Sequence, residues 1–349
     1  MAPKFEFPSN QRLLAILPTA LLLLGATTAA ADEPAPAART FEFVYAASIA
    51  AIAAERGPVD VFVPLVRESE SQRIVSERID ASLSGRVQVE ARYGNRYWRG
   101  TRAAGDGQPI EVQVVTVVER RPVRRAAPTE RGRSLSAAER AEHALFLQPN
   151  ERVVVGHEIL DPILAEVRRA AGTDDPAALA RAAYDWVVDN LEYKKVGKGW
   201  GNGDSFWACS ERYGNCTDFH ALYISLVRTL GIPARFEIGF PVPEDRSQGT
   251  IGGYHCWVAF YLPETGWFPI DASEAFKHPE KREVFYGTQS ADRIHFTTGR
   301  DLQLGDGDAG GTLNYFIYPH VEVAGEVYDG PVEKTFRFRE VADRAALLR

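Results

Sequence analysis

The chain has 349 residues, 45% of them apolar and 25% charged, a composition expected of a globular protein with one large or two ordinary domains. Its net charge of −7 argues against a general nucleic-acid binder, which would be basic. After the opening residues no stretch is long and apolar enough for a transmembrane helix, so none is expected in the mature chain.

The first residues read as an export signal. Lys4 and Arg12 precede a short apolar run from Leu13 to Ala26, and Ala29-Ala30-Ala31 supplies the small residues of a cleavage site. Residues 1–31 are therefore expected to be a signal peptide, with the mature protein starting near Asp32 and exported to the periplasm or beyond. The alternative is an uncleaved anchor.

Residues 40–120 read as short alternating strands: 41–45, 59–65, 86–91 and 111–118. Gly94-Asn95 and Gly105-Asp106-Gly107 separate them, which predicts a β-sandwich-like N-terminal domain. The alanine-rich run Ala46 to Ala54 suits a helical turn or an irregular crossing better than a strand. Residues 121–134, rich in arginine and broken by Pro122 and Pro128, read as a solvated linker. Their other reading is a basic patch for anionic polymers or lipid headgroups.

A second domain is expected over residues 135–345. Asp161-Pro162 and Asp175-Pro176 each read as an N-cap followed by a first helical position, opening helices that reach Ala171 and Leu191. The Gly- and Lys-rich stretch from Lys194 to Asp204 reads as a loop. From Phe219, apolar residues recur at Leu222, Tyr223, Leu226, Val227 and Leu230, the spacing of a buried helical stripe, until Gly231 and Pro233 end it. Cys216 thus stands at the start of a helix, where unpaired N–H groups and the helix dipole favour thiolate over thiol. Gly214 before it allows backbone or substrate to come close.

A nucleophile needs a base and a group to orient that base. Gly253 to Tyr261 and Trp267 to Asp271 read as two strands of a hairpin around Pro263-Glu264-Thr265-Gly266, bringing His255 and Asp271 near one end. His220 is a rival base, but it lies one turn from Cys216 and is expected along the helix surface. Farther on, Leu313 to Tyr318 and Val332 to Phe338 read as strands that close the core sheet.

The cysteines number three, Cys209, Cys216 and Cys256. With Cys216 free, Cys209 and Cys256 could pair, although small buried apolar residues is the favoured reading. Strand alternation sets Cys256 and His255 on opposite faces, which predicts Cys256 away from the catalytic side. No pair of His or Cys residues has zinc-site spacing, so neither a metal nor a cofactor is expected.

The runs Gly-Asn-Cys-Thr-Asp, Leu-Gly-Ile-Pro-Ala-Arg, His-Cys-Trp and Gly-Trp-Phe-Pro-Ile-Asp together resemble the core of the transglutaminase-like superfamily, over roughly residues 175–275. The resemblance implies an α+β fold, with a papain-like nucleophile helix on an antiparallel sheet. It implies Cys216, His255 and Asp271 as catalytic residues acting on peptide or protein amides through a thioester, by hydrolysis or by transfer to an amine. It also implies an aromatic N–H or O–H as second oxyanion donor, with Trp207 preferred over Trp200 and Tyr193. No EF-hand loop accompanies it, so calcium activation is not implied. The rival reading is a catalytically inactive binding or scaffold protein of the same fold.

Overall fold

The computed structural model describes residues 38–128, 131–305 and 311–341; the expected signal peptide lies outside them. The strand β1 (Arg39–Ile49) alternates from Phe41 onward, burying Phe41, Phe43, Tyr45, Ala47 and Ile49 on one face. The alanine-rich run therefore begins as strand, correcting the expectation of a turn. Ala47 is small enough to sit between sheets, and both edges of the strand there are hydrogen-bonded. Next come β2 (Val59–Pro64), β3 (Gln72–Ala81), β4 (Gly85–Val89), β5 (Arg96–Arg102), β6 (Ile110–Arg120) and the short β7 (Val123–Arg124).

Helices open the second half: α1 (Ala137–Glu142), α2 (Asp161–Ala171) and α3 (Pro176–Asn190). Asp175 caps α3 by accepting the Ala177 N–H, with Pro176 at its start, as the sequence predicts. Then follow β8 (Glu192–Tyr193), α4 (Ser205–Glu211), β9 (Tyr213–Gly214) and α5 (Cys216–Thr229). The core sheet is built from β10 (Ala234–Pro241), β12 (His255–Leu262), β13 (Gly266–Ile270) and β15 (Arg293–Thr298), in the order β13-β12-β10-β15. Between and after them lie β11 (Gln248–Thr250), α6 (Ala272–Lys277), β14 (Thr288–Gln289), β16 (His320–Val323), β17 (Glu326–Val327) and β18 (Val332–Glu340).

The helix α5 is buried from Cys216 to Arg228, more completely than a one-sided stripe requires. Its position explains this: β10 and β12 cover one side, while α3 and α4 cover others. The expected hairpin is present as β12 and β13, with Val258 opposite Ile270.

The strands of residues 39–120 are not closed among themselves. One sheet runs β11-β18-β1-β6-β3 and another β17-β16-β2-β5-β4, so the late strands β18 and β16 each complete a sheet begun by early ones. The Val332 to Phe338 stretch is a strand as expected, but it pairs with β1 and not with the core sheet. Nor does β1 face a private core. Phe43 meets Phe240 of β10 at 5.2 Å, and Tyr45 meets Phe296 of β15 at 6.1 Å. Between the two halves, β7 pairs with β14, and the Arg125 N–H donates to the Gly287 carbonyl at 2.8 Å, so this part of the expected linker is docked. The fold is mixed α and β with antiparallel main sheets; β8 and β9 pair in parallel. Among the described residues no helix is long and apolar enough to cross a membrane.

Candidate active site

The site begins with how α5 starts. Asn215 caps the helix, its Oδ1 accepting the Thr217 N–H at 2.9 Å, and Asp218 Oδ2 returns to accept the Asn215 N–H at 2.9 Å. The same carboxylate accepts the Gly201 N–H at 2.7 Å and the Gly203 N–H at 2.9 Å. Asp218 therefore moors the glycine-rich loop to the start of α5. Gly214 is needed here because a Cβ would stand 2.2 Å from Asp218 Oδ2; the close approach belongs to this carboxylate.

Cys216 is the first residue of α5 and only 2% exposed. His255 opens β12 and Asp271 follows β13 as the cap of α6, so the hairpin delivers both to one end of the sheet. His255 Nε2–H donates to Asp271 Oδ2 at 2.6 Å, since a carboxylate can only accept. That leaves Nδ1 as the nitrogen available to Cys216, whose thiol His255 lowers. Asp271 is itself fixed: Oδ1 accepts from Ser273 Oγ and the Glu274 N–H, both at 3.0 Å, and Arg293 Nη1 donates to Oδ2 at 3.3 Å.

Two expectations are corrected at this point. His220 does not lie along the helix surface; it is fully buried, with Nε2 accepting the Ala272 N–H at 3.2 Å. Its proton therefore sits on Nδ1, which faces Cys256 Sγ at 3.4 Å. Cys256 in turn lowers the Cys216 thiol, so it lies on the Cys216 side of the strand. Alternation does separate His255 from Cys256, but α5 packs on the Cys256 face, as the contact of Tyr223 with Phe260 also shows. His255, at the very end of the strand, remains in reach of the helix start. No disulfide links the cysteines; all three are free thiols.

The charges follow. The Cys216 thiol is held well below its ordinary value by the hydrogen bond from Cys256, against the opposing effect of burial, and then by His255. Burial raises the Cys256 thiol, so it keeps its proton and donates it. Burial alone would depress His255, but the charge and hydrogen bond of Asp271, with Cys216, lift it to about 10. Burial depresses His220 to about 4, leaving it neutral near pH 7. The favoured state is a Cys216 thiolate beside a His255 imidazolium.

Trp207 is not free to serve as an oxyanion donor, because its indole N–H donates to the Tyr213 carbonyl at 2.9 Å. Trp200 lies under the Lys195 ammonium at 5.9 Å. Tyr193, on β8 opposite Gly214, has a hydroxyl that burial and the charge of Cys216 keep protonated. Among the described residues nothing accepts that O–H. Sequence reading also passed over Tyr254, whose hydroxyl accepts from Asn215 Nδ2 at 3.2 Å and so ties the residue before His255 to the residue before Cys216. Donor atoms of His255, Asp271 and Glu274 lie within 4.8 Å of one another. The guanidinium of Arg293 on Asp271 makes this set better suited to an ion pair than to a divalent cation.

Comparison with known proteins matches the middle of the chain to one superfamily. Residues 165–272 match the transglutaminase-like superfamily. An uncharacterized protein of Haemophilus influenzae is 24% identical over 88% of this chain and 92% of its own length. YebA of Bacillus subtilis, also uncharacterized, is 31% identical over 77 residues, 20% of this chain and 10% of its own. A solved structure from Cytophaga hutchinsonii, described as a "Putative Cysteine Protease", shares the fold with a TM-score of 0.59 at 17% identity, over 88% of this chain and 92% of that one. The chain thus carries a transglutaminase-like superfamily core at residues 165–272, with Cys216, His255 and Asp271 all inside it.

Proposed function

We propose that this protein is an exported cysteine enzyme that acts on peptide or protein amide bonds through a thioester. The observation that carries this reading is the 2.6 Å bond from His255 to the buried Asp271, beside the thiol of Cys216 at a helix start. The Cys216 thiolate attacks the amide carbonyl, and the electron pair moves onto oxygen. The backbone N–H of Cys216 and the free O–H of Tyr193, in place of Trp207, donate to that oxyanion. As the C–N bond breaks, the His255 imidazolium protonates the leaving amine, and a thioester remains on Cys216. His255, neutral again, takes a proton from water or from an incoming amine, which attacks the thioester and frees the thiolate. Asp271 keeps the imidazole in the required tautomer throughout. Export is supported by the signal-like residues 1–31.

The test is turnover of a casein-type substrate with and without a fluorescent primary amine, followed by intact mass. Free new termini mark hydrolysis and amine incorporation marks transfer. Cys216→Ala is expected to lower the rate by about 10³-fold or more and to abolish the thioester. His255→Ala should cost nearly as much, and Asp271→Asn clearly less. The Cys216→Ala/His255→Ala double variant should be little worse than Cys216→Ala alone, because the groups act as a unit. Full turnover by a folded His255→Ala protein would remove the base from this scheme.

A further inference from the structure

A second site lies on the other face of the core sheet. Arg235 and Glu237 of β10 and Ala259 of β12 point away from α5 and line a cavity of about 490 Å³. Its other walls come from the N-terminal strands and the docked stretch after β6. Arg120 stands in that wall, 1% exposed. Its Nη1 donates to Ser71 Oγ at 2.8 Å and its Nη2 to Gln289 Oε1, so both partners are neutral. Arg120 Nε has no acceptor, and neither has Gln289 Nε2.

Two buried donors with nothing to bond, one of them on a cation, are costly, and native proteins rarely leave such groups unmet. The nearby carboxylates do not meet them. Glu237 is taken by Arg235 Nε at 2.6 Å and Trp257 Nε1 at 2.5 Å. Glu68 and Glu70 are exposed at the rim. Arg67, also in the wall, donates to the Tyr93 carbonyl at 2.9 Å and to Asn95 Oδ1 at 3.3 Å, again neutral partners. Arg125 is exposed at the mouth. Tyr93, Phe146 and Trp267 give the cavity aromatic walls. Its volume falls in the range of small-molecule sites, which combine apolar walls with a few placed polar groups.

We infer that this cavity binds a small oxyanion, a carboxylate or phosphate group on a compact molecule, with Arg120 and Gln289 as its buried donors and Arg125 at its entrance. The inference is independent of the chemistry at Cys216. It is tested by titrating the full protein with inorganic phosphate and, separately, with benzoate at constant ionic strength, following Trp fluorescence and melting temperature. Trp267 in the wall provides the optical signal. Saturable binding of at least one probe is expected, and which one binds identifies the anion. Arg120→Met should weaken it about tenfold or more, the usual worth of a hydrogen bond to a charged group. Arg125→Gln, an exposed change that leaves the fold intact, should weaken it measurably and decides the matter should Arg120→Met fail to fold. Absence of saturable binding for both probes, or equal binding by wild type and the folded variants, would overturn the inference.

Discussion

His220 lies on Cys256, and Cys256 acts in turn on the thiol of Cys216. The neutral imidazole donates to Cys256, and the protonated Cys256 thiol favours the thiolate form of Cys216. Sulfur is a weak partner, but in a buried site even a weak donor aimed at a charge matters. The consequence is readable by pH. Cys216 ionises well below the ordinary thiol range, and His255 stays charged until about pH 10. Iodoacetamide at pH 6 should therefore label Cys216 well ahead of Cys209, which burial raises to about 11. Cys256→Ala should move the pH midpoint of Cys216 labelling upward, while Cys209→Ala leaves it in place; equal midpoints in all three proteins would dissociate Cys256 from the site. The placement of Cys216, His255 and Asp271 was legible in the sequence because helix start, strand and hairpin are local signals. The part played by Cys256 was not. Alternation tells which residues share a face of a strand, but not which face a helix will cover.

At the scale of elements, α5 and the loop before α4 are one assembly, joined by Asp218. Its carboxylate accepts from Asn215, Gly201 and Gly203, so three backbone N–H groups depend on one side chain. Asp218→Ala leaves those donors unmet and is expected to cost about 3 kcal/mol or more, read from urea denaturation. A loss under about 1 kcal/mol would show that water replaces the carboxylate. The helix could be read directly from the apolar stripe and from Gly231 and Pro233 at its end. The mooring could not, because the glycines of the loop specify conformational freedom and not the partner they will meet. Trp207 illustrates the same gap: an indole N–H looks available in sequence, yet the turn into β9 places the Tyr213 carbonyl on it.

The whole molecule should weaken in mild acid. His220 and His295 are buried and neutral, each depressed by burial to about 4. In the unfolded chain both would titrate near 6.5. Between those values the unfolded state binds more protons, so stability falls as pH falls, by up to about 1.4 kcal/mol per pH unit for each histidine. His255 does not oppose this, since below 6.5 it is charged in both states. Glu237, held at about 2 by Arg235 and its other partners against burial, adds a further loss below about 4.5. The melting temperature should drop steadily from pH 6.5 to 4; a flat or rising curve would contradict these two neutral histidines. Composition and alternation made the strands legible, but not their partners. The sequence reading closed residues 40–120 into a sandwich, whereas β18 and β16 complete those sheets. Pairing between distant strands leaves no local mark.

That pairing governs how the molecule can be assembled. Phe41 lies opposite Glu340 and Ile49 opposite Val332, so β1 gains its second neighbour only when nearly the whole described chain is in place. A chain synthesised or threaded from its N-terminus first presents Phe41, Phe43 and Tyr45 with no sheet to shelter them. Contacts this far apart in sequence carry a large loop-closure cost and form slowly. The strand β1 pairs first with β6 and is completed only by β18, long after it is made.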